Sequence, residues 1–463
     1  MTSTDGHLGS VVVVGYGREG RSVHRFLLSA GLATEVAIAD RNPVQPVAPA
    51  ARVHQGPGYL EHLNPYDTIV RSPGVPTGLP ELTAARAAGK CVTSATNIFF
   101  ERSPGRIVGV TGTKGKSTTS SLTARVLAGG LADVRLVGNI GKPALDDIEG
   151  ATEDTLFVME LSSQQLDDAL RSPTVSVVLA VVPEHLDFHG DFEAYLDAKA
   201  NIVRYQAAGD HVVFNPGHPT AATIAGLSAG TPVRFSSADR PSLDCYVKED
   251  QIVARYRAGG MAEIMPASAV PLLGAGNLEN VLAAVSVATI FEVPPPVIRA
   301  ALESFTPLPH RLEFAGERQG IRFYNDSLAT IPQAVIHAMK ALGGDVTTLI
   351  AGGHDRGVSY DELASYLSSS SLRALILFEP VGERLWRAVE ATNRGAGRLK
   401  RYDVSSMADA VRVAFEVTPQ GGICLLSPGA ASFGSFRDYE DRGNQFKALV
   451  ASHGNEGAPR QDL

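Results

Sequence analysis

Residues 106–127 constrain the fold more tightly than any other stretch. An apolar run, Arg106-Ile-Val-Gly-Val-Thr111, meets Gly112-Thr113-Lys114-Gly115-Lys116-Ser117, and a helical pattern, Ser120-Ser-Leu-Thr-Ala-Arg-Val-Leu127, follows. A strand that ends in glycines and opens a helix is the frame of a phosphate loop, and that frame belongs to α/β folds. The backbone N–H groups of residues 112–117 would surround the β- and γ-phosphates of a nucleotide. Lys116 would reach the same oxygens, and the Ser117 hydroxyl would bind magnesium. The spacing is two residues shorter than the loop with four residues between its glycines, so the flanking strand and helix carry the assignment against chance. The loop does not say which acceptor receives the phosphoryl group: water, an alcohol or a carboxylate.

The rest of the chain repeats the theme of short apolar runs separated by helical patterns, which implies parallel sheets. Val11–Val14 and Val36–Asp40 are strand candidates around a helix at Arg21–Ala30. Thr155–Glu160 and Val175–Val182 follow the phosphate loop, with helices expected at Phe192–Gln206 and Asn277–Ile290. Residues 231–270 are turn-rich and strand-like, as in a small antiparallel insert. Val346–Ala351, Ala374–Phe378 and Gly422–Leu426 mark a last open α/β unit. Ser103-Pro-Gly105 is a natural linker and Pro307 opens the last region, so the expected divisions are 1–104, 105–306 and 307–463. The polar C-terminal residues are expected to fray.

Composition excludes several function classes. The 463 residues are 44% hydrophobic, enough for several cores, with formal charge −8 and no block of Lys or Arg. Nucleic acid and anionic membrane are therefore not expected partners. Cys91, Cys245 and Cys424 are far apart and have no metal spacing, which fits a reducing cytosol. No signal peptide or membrane-spanning run is visible, and a cytoplasmic protein is expected.

A second glycine turn, Gly15-x-Gly17-x-x-Gly20, follows the first strand, with Asp40 about twenty residues on. This matches the dinucleotide fingerprint, in which a pyrophosphate sits at a helix N-terminus. Three readings stay open: NAD, a UDP-linked substrate, and a turn with no ligand. An NAD oxidoreductase would leave the phosphate loop and the residues downstream unexplained.

The loop Thr111-Gly-Thr-Lys-Gly-Lys-Ser-Thr118 resembles that of the Mur ligases, the ATP-dependent peptide-bond enzymes of peptidoglycan synthesis. The resemblance continues in order through Gly138-Asn-Ile-Gly141, Glu160-Leu-Ser-Ser163, Glu184-His185-Leu-Asp187, Ala198-Lys199, Gly276-Asn277-x-x-Asn280, Leu308-Pro-His310-Arg311-x-Glu313, Asn325-Asp326-Ser327 and Leu426–Phe433. The glycine turn, Glu160–Leu166, and Ser427-Pro…Ser432-Phe…Arg442-Gly-Asn-Gln-Phe446 are most similar to the members that add glutamate to UDP-N-acetylmuramoyl-L-alanine. A resemblance of this extent implies three α/β domains: a Rossmann-like N-terminal domain for UDP, a central P-loop ATPase domain, and a Rossmann-like C-terminal domain for the amino acid. It implies ATP and magnesium, a monomer, and cell-wall precursor synthesis in dividing cells.

It also implies roles for single residues. Gly112, Thr113, Lys114, Gly115, Lys116, Ser117 and Thr118 hold ATP, with Asn280 at the adenine, Arg311 at the phosphates or ribose, and Asp326 at the ribose hydroxyls. Ser117, Glu160, His185 and Lys199 hold magnesium, Lys199 after carbamylation by CO₂. Lys116, Lys199, His185 and Asn139 are the catalytic set. Gly15, Tyr16, Gly17, Arg18, Asp40, Arg41, Ser72, Pro73, Gly74 and Asn139 meet the UDP-linked substrate, and Arg356, Ser432 and Tyr439 meet glutamate. Two domains acting on one ATP imply closure around it.

The pattern departs from the family at several points. The usual Asn-Asp-Ser-Lys-Ala-Thr-Asn reads Asn325-Asp-Ser-Leu328-Ala-Thr330-Ile331-Pro332 here; Arg356 stands for a lysine, Tyr439 for a phenylalanine, and Lys114 for an asparagine. These changes, with the Gly15–Gly20 turn, are similar to a subfamily that takes L-glutamate and relies on a separate epimerase acting on the product. The reading leans to L-glutamate, with D-glutamate as the alternative. A folate–polyglutamate ligase is more remote, because about 100 residues precede the phosphate loop. A non-catalytic ATP binder is disfavoured by the presence of Lys116, Glu160 and Lys199.

Overall fold

The computed structural model describes residues 6–257, 259–392 and 399–453. The C-terminal residues expected to fray lie outside that range. Three sheets account for the strands. The first contains β1 (Ser10–Val14), β2 (Glu35–Asp40), β3 (Val53–Gln55), β4 (Thr68–Arg71) and β5 (Cys91–Ser94) in the order β3-β2-β1-β4-β5, all parallel. Val11 and Val13 pack into one apolar cluster, while Val12 and Val14 pack into another. Both faces of β1 are therefore covered, which is why its sequence is a continuous apolar run rather than an alternation. The order reverses beside β1, and the Gly15–Gly20 turn lies at that point.

The second sheet begins with β6 (Arg106–Thr111), β7 (Val134–Gly138), β8 (Leu156–Glu160), β9 (Val175–Val178) and β10 (His211–Phe214). It continues through β11 (Thr231–Ser236), β12 (Cys245–Lys248), β13 (Gln251–Tyr256) and β14 (Gly260–Pro266). The order is β14-β13-β12-β11-β10-β9-β6-β8-β7. The insert expected at 231–270 is antiparallel only in β12–β14; β11 pairs parallel with both β10 and β12, so it extends the main sheet. Strand β6 lies between β8 and β9, so the loops after β6, β7 and β8 open on one edge. The run Val175–Val182 leaves the ladder after Val178. Its last residues turn to the phosphate loop instead: Thr113 N–H donates to the Ala180 carbonyl and its hydroxyl to that of Val182.

Contact clustering divides the chain into two compact units, residues 1–270 with 276–305, and residues 271–275 with 306–463. The first two sheets share the first unit. Arg71, fully buried at the end of β4, fastens them: its guanidinium donates to Asp168 Oδ2 (3.0 Å) and to the Gln164 carbonyl (3.0 Å), and also to the Val75 carbonyl (2.7 Å). No expectation from sequence named Arg71; a charged residue closing an apolar strand was the available signal.

The second unit is built on β15 (Glu313–Arg318), β16 (Ile321–Asn325), β17 (Val346–Gly352), β18 (Ala374–Phe378), β19 (Lys400–Val404) and β20 (Ile423–Leu426), ordered β15-β16-β20-β17-β18-β19. Among the described residues, only β15 runs antiparallel to its neighbour. Leu375 and Leu377 pack into one cluster, and Ile376 and Phe378 into the other. Among the described residues no helix is long and apolar enough to cross a membrane.

Candidate active site

The phosphate loop is shaped by two demands. Gly115 caps the helix Lys116–Ala128 with φ 86°, a left-handed conformation that a side chain rarely adopts, and an added Cβ would come 2.4 Å from Asn280 Oδ1. Asn280 accepts from the Thr119 hydroxyl at 3.1 Å and is buried. It therefore braces the loop from behind. Lys116 Nζ donates to the carbonyls of Gly112 (3.1 Å) and Thr113 (3.0 Å). Thr118 is buried in the first turn of the helix, and Ser117 stands beside Lys116 at its start.

Lys114, the departure from family pattern, is bound by Glu184 at 2.6 Å with its side chain half exposed. An exposed pair of this kind contributes little to stability, but it does neutralise the extra charge. Lys114→Asn is accordingly expected to change KM for ATP by less than about fivefold, since an exposed pair is worth only about 0.2–1 kcal/mol. A steady-state titration of ATP that shows a larger change would mean that Lys114 leaves Glu184 for the phosphates.

Two loops meet behind this one. Asn139, after β7, donates its side-chain amide to Glu160 Oε1 (2.8 Å) and its backbone N–H to the Glu160 carbonyl (3.1 Å). Glu160 ends β8 and is buried, and its Oε2 has no hydrogen-bond partner. A buried carboxylate oxygen left without a partner is costly unless a ligand completes it. Among the described residues no three His, Cys, Asp or Glu side chains converge to hold a metal by themselves. Magnesium retains waters and phosphate oxygens and needs only one or two protein oxygens, so the orphaned Oε2 fits that ion.

Lys199, on the helix Phe192–Arg204, is buried, with Nζ 3.0 Å from the Gly112 carbonyl and 3.3 Å from the Thr111 hydroxyl. It lies over the Tyr195 ring, 4.8 Å from the centroid. Burial, and then the positive charge of Lys116, hold its pKa well below the ordinary lysine value, while Glu184 and Glu160 oppose them. That direction favours the neutral amine, the form that the carbamylation expected of Lys199 needs. Tyr195 was not anticipated. Its hydroxyl meets Thr113 at 3.0 Å, and burial pushes its pKa up to about 12, so it stays protonated. His185 starts the short helix Leu186–His189 in a left-handed conformation, φ 56°, with its ring half exposed. Desolvation, and then Lys116 and Lys199, lower its pKa against Glu184 and Asp187, favouring the neutral imidazole a metal requires.

At the other glycine turn, Gly20 is obligatory: an added Cβ would lie 2.1 Å from the Gly15 carbonyl. Asp40 closes the turn by accepting from the backbone N–H groups of Tyr16 (2.6 Å) and Asn42 (2.8 Å). The Ser72 hydroxyl donates to the Gly15 carbonyl at 2.5 Å, so the Ser72-Pro73-Gly74 loop lies against the turn. Gly17, Arg41 and Gly74 are exposed. The Tyr16 side chain is turned inward, 2% exposed, with its hydroxyl on His24 Nδ1 (2.6 Å) and the Val47 N–H (3.0 Å). Arg18 reaches the Gly138 and Asn139 carbonyls, and Glu19, half-buried, pairs with Gln165. Burial raises the pKa of Glu19 against Gln165, Arg18 and Arg71.

In the second unit His310 and Glu313 form a closed turn. His310 N–H donates to Glu313 Oε2 (2.8 Å), Asn325 donates to the same oxygen (3.0 Å), and Lys447 holds Oε1 (2.8 Å). Arg311 lies inside this turn. Asp326 is buried, accepting from the Ser427 hydroxyl (2.9 Å) and the Leu312 N–H (3.2 Å); burial pushes its pKa up to about 7. Arg442 was matched only as part of a motif. It is buried and donates to the Ser327 hydroxyl (3.0 Å) and to the Ser327 (2.8 Å) and Ala430 (3.2 Å) carbonyls, tying together the loops after β16 and β20.

The glutamate candidates are brought together only in part. His354 bridges to Ala431, which sets the Arg356 loop beside buried Ser432; Arg356 is exposed. Tyr439 packs edge-on against His310, centroids 5.9 Å apart, and its hydroxyl bonds Glu440. Ile331-Pro332, where the family has asparagine after threonine, starts the helix Pro332–Leu342 with proline in its first turn.

Family models match three successive parts of the chain. Residues 9–94 match the model of the Mur ligase MurD-like N-terminal domain, residues 110–288 the Mur ligase middle domain, and residues 310–430 the Mur ligase glutamate ligase domain. The UDP-N-acetylmuramoylalanine–D-glutamate ligase of Symbiobacterium thermophilum is 36% identical over 95% of this chain and 97% of its own length. That of Acetivibrio thermocellus is 37% identical over 86% and 85%. Among solved structures, MurF ligase of Thermotoga maritima in complex with ADP superposes with TM-score 0.59 at 16% identity, covering 98% of this chain and 97% of its own. Escherichia coli FolC shares the fold with TM-score 0.54 at 17% identity, covering 77% of this chain and 92% of its own. Its likeness is one of fold alone; the sequence relatives named here are glutamate-adding, and the chain belongs to the Mur ligase family.

Proposed function

We propose that this ligase joins D-glutamate to UDP-N-acetylmuramoyl-alanine, using ATP to form an acyl phosphate and releasing ADP and phosphate. The observation that carries the reading is the cluster behind the phosphate loop: Lys116, the orphaned oxygen of Glu160, Asn139 and the buried amine of Lys199. The D-glutamate assignment rests on the names of the relatives at 36% and 37% identity, which outweigh the lean to L-glutamate drawn from Leu328 and Arg356. No product epimerase is then required.

The difficulty of the reaction is electrostatic, because a carboxylate must approach a γ-phosphate. Bound magnesium would supply charge neutralisation there, held by Glu160 Oε2, Ser117, His185 and a carbamylated Lys199. The neutral amine of Lys199 is the form that reacts: its lone pair attacks the carbon of CO₂, a C–N bond forms, an electron pair moves onto oxygen, and a proton leaves to water. Lys116 would exchange its two loop carbonyls for phosphate oxygens. Asn139 holds Glu160 in place. The substrate carboxylate attacks the γ-phosphorus and ADP leaves. The glutamate amine then attacks the acyl carbon, loses a proton, and phosphate departs. Arg356 and Ser432 would anchor glutamate, with Tyr439 at the margin, and Arg311 and Asp326 would hold the nucleotide.

The test is ADP release with UDP-N-acetylmuramoyl-L-alanine and each glutamate enantiomer. Release with D-glutamate alone is expected. Release with L-glutamate alone would restore the epimerase-dependent reading, and release with neither would overturn the function.

A further inference from the structure

The glycine turn proposed for UDP and the carboxylate proposed for magnesium are wired together by the first helical turn after Gly17. Arg18 is exposed at the start of the helix Arg18–Ser29. One of its terminal nitrogens donates to the Gly138 (2.9 Å) and Asn139 (3.1 Å) carbonyls, the other to that of Gly141 (3.4 Å). The residue it grips, Asn139, holds Glu160 through both its side chain and its backbone. Glu19, the next residue, accepts from Gln165 Nε2 (2.5 Å), and Gln165 Oε1 in turn accepts from the Ser162 N–H (2.9 Å), two residues after Glu160. Adjacent residues of one turn thus run to the loops on either side of the same carboxylate.

We propose that Arg18 is a positioning residue that couples occupancy of the UDP turn to nucleotide binding at the phosphate loop. The proposal rests on the UDP reading of the turn. A guanidinium has five N–H donors in a rigid fork, so it can accept an anion while keeping its carbonyl partners. A charge-assisted bond to a pyrophosphate is stronger than one to a carbonyl and fixes the fork in one rotamer. The Gly138–Gly141 loop is then ordered before the nucleotide arrives, and the second ligand meets a smaller ordering cost. Coupling is reciprocal, so the nucleotide strengthens UDP binding by the same factor.

UDP itself is the probe, because it lacks the sugar acid and alanine that would touch the γ-phosphate directly. Calorimetry measures the affinity of magnesium with a non-hydrolysable ATP analogue, with and without saturating UDP, on the intact protein. The expected gain with UDP is about fivefold or more, the range typical of such coupling. Arg18→Met should reduce it below about twofold on that scale. Asn139→Ala breaks the path beyond the turn, so at a UDP concentration that saturates that variant it should lose the gain; it decides the matter if Arg18→Met no longer binds UDP. Arg25→Ala, which removes a separate and exposed ion pair to Asp146 between the same two sheets, should keep the full gain. No gain in the unmodified protein, a gain surviving in Asn139→Ala, or a gain lost in Arg25→Ala would each overturn the proposal. Absence of any UDP heat would instead overturn the UDP reading, and the coupling with it.

Discussion

Lys199→Ala is expected to lower kcat roughly a thousandfold, the scale of losing one preorganised group from a charge-stabilising site. The structure explains why a lysine should matter at a place where a permanent cation would be harmful. Its amine is buried against the Thr111 hydroxyl and the Gly112 carbonyl, within the field of Lys116. A second ammonium there would repel Lys116 and any metal held by Glu160. A neutral amine is instead competent to capture CO₂, and the resulting carbamate is an anion placed among cations. Two further results separate this role from a structural one. Acetate should restore part of the activity of the Ala variant, by returning a carboxylate to the space vacated. In the unmodified protein, isotope-labelled bicarbonate should give a carbamate signal that is absent from Lys199→Ala. The fold should change little in stability, since the lost methylene packing is offset by removal of a desolvated amine. Full turnover by the Ala variant, or no rescue by acetate together with no carbamate signal in the unmodified protein, would sink the role.

Lys199 also shows where reading from sequence stops. Its position in a helix was legible from the periodicity of Phe192–Gln206, and its chemistry was legible only through family resemblance. Nothing local in Tyr195-Leu-Asp-Ala-Lys199 reveals that the amine is buried. Strands covered on both faces, such as β1, β8 and β18, were legible because a double-sided core leaves an unbroken apolar run. The end of Val175–Val182 was not, since apolar residues beyond Val178 serve the phosphate loop rather than the ladder. Contacts between distant residues were the main loss. Arg18 meets Gly138 across 120 positions and Arg71 meets Asp168 across 97, and no local period encodes either. Side-chain direction was lost as well: Tyr16 lies in a ligand-binding motif but turns inward to His24, and Lys114 lies among phosphate-binding residues but meets Glu184. The choice of glutamate enantiomer fails for a further reason. Both enantiomers require cations for two carboxylates, so residue types such as Arg356 do not distinguish them.

Asp326→Asn is expected to stabilise the protein while abolishing activity, and the stabilisation should depend on pH. Burial raises the Asp326 pKa from 3.8 to about 7, against the opposing bonds from Ser427 and Leu312 and the charge of Arg311. In the unfolded chain the ordinary carboxylate value applies. Between these two pH values the folded state keeps a proton that the unfolded state has lost, so stability falls as pH rises through the interval and the penalty is complete above it. A shift of this size corresponds to roughly 4 kcal/mol at full expression, and about 2 kcal/mol is a reasonable realised gain. Asparagine removes the charge without orphaning its neighbours. Its carbonyl can accept from the Leu312 N–H, and its amide can donate to a Ser427 hydroxyl that turns from donor to acceptor. Thermal melts should therefore show the Asn variant well above the unmodified protein at about pH 8, with the gap closing towards about pH 5. Equal gaps at both values would mean that the gain is not electrostatic, and no gain at all would mean that Asp326 is not desolvated in solution. Activity should move the other way. An acceptor pair placed to receive ribose hydroxyls becomes one acceptor and one donor, and the cost of keeping a buried carboxylate is then the cost of binding the nucleotide. If the Asn variant is both more stable and fully active, Asp326 holds no ribose.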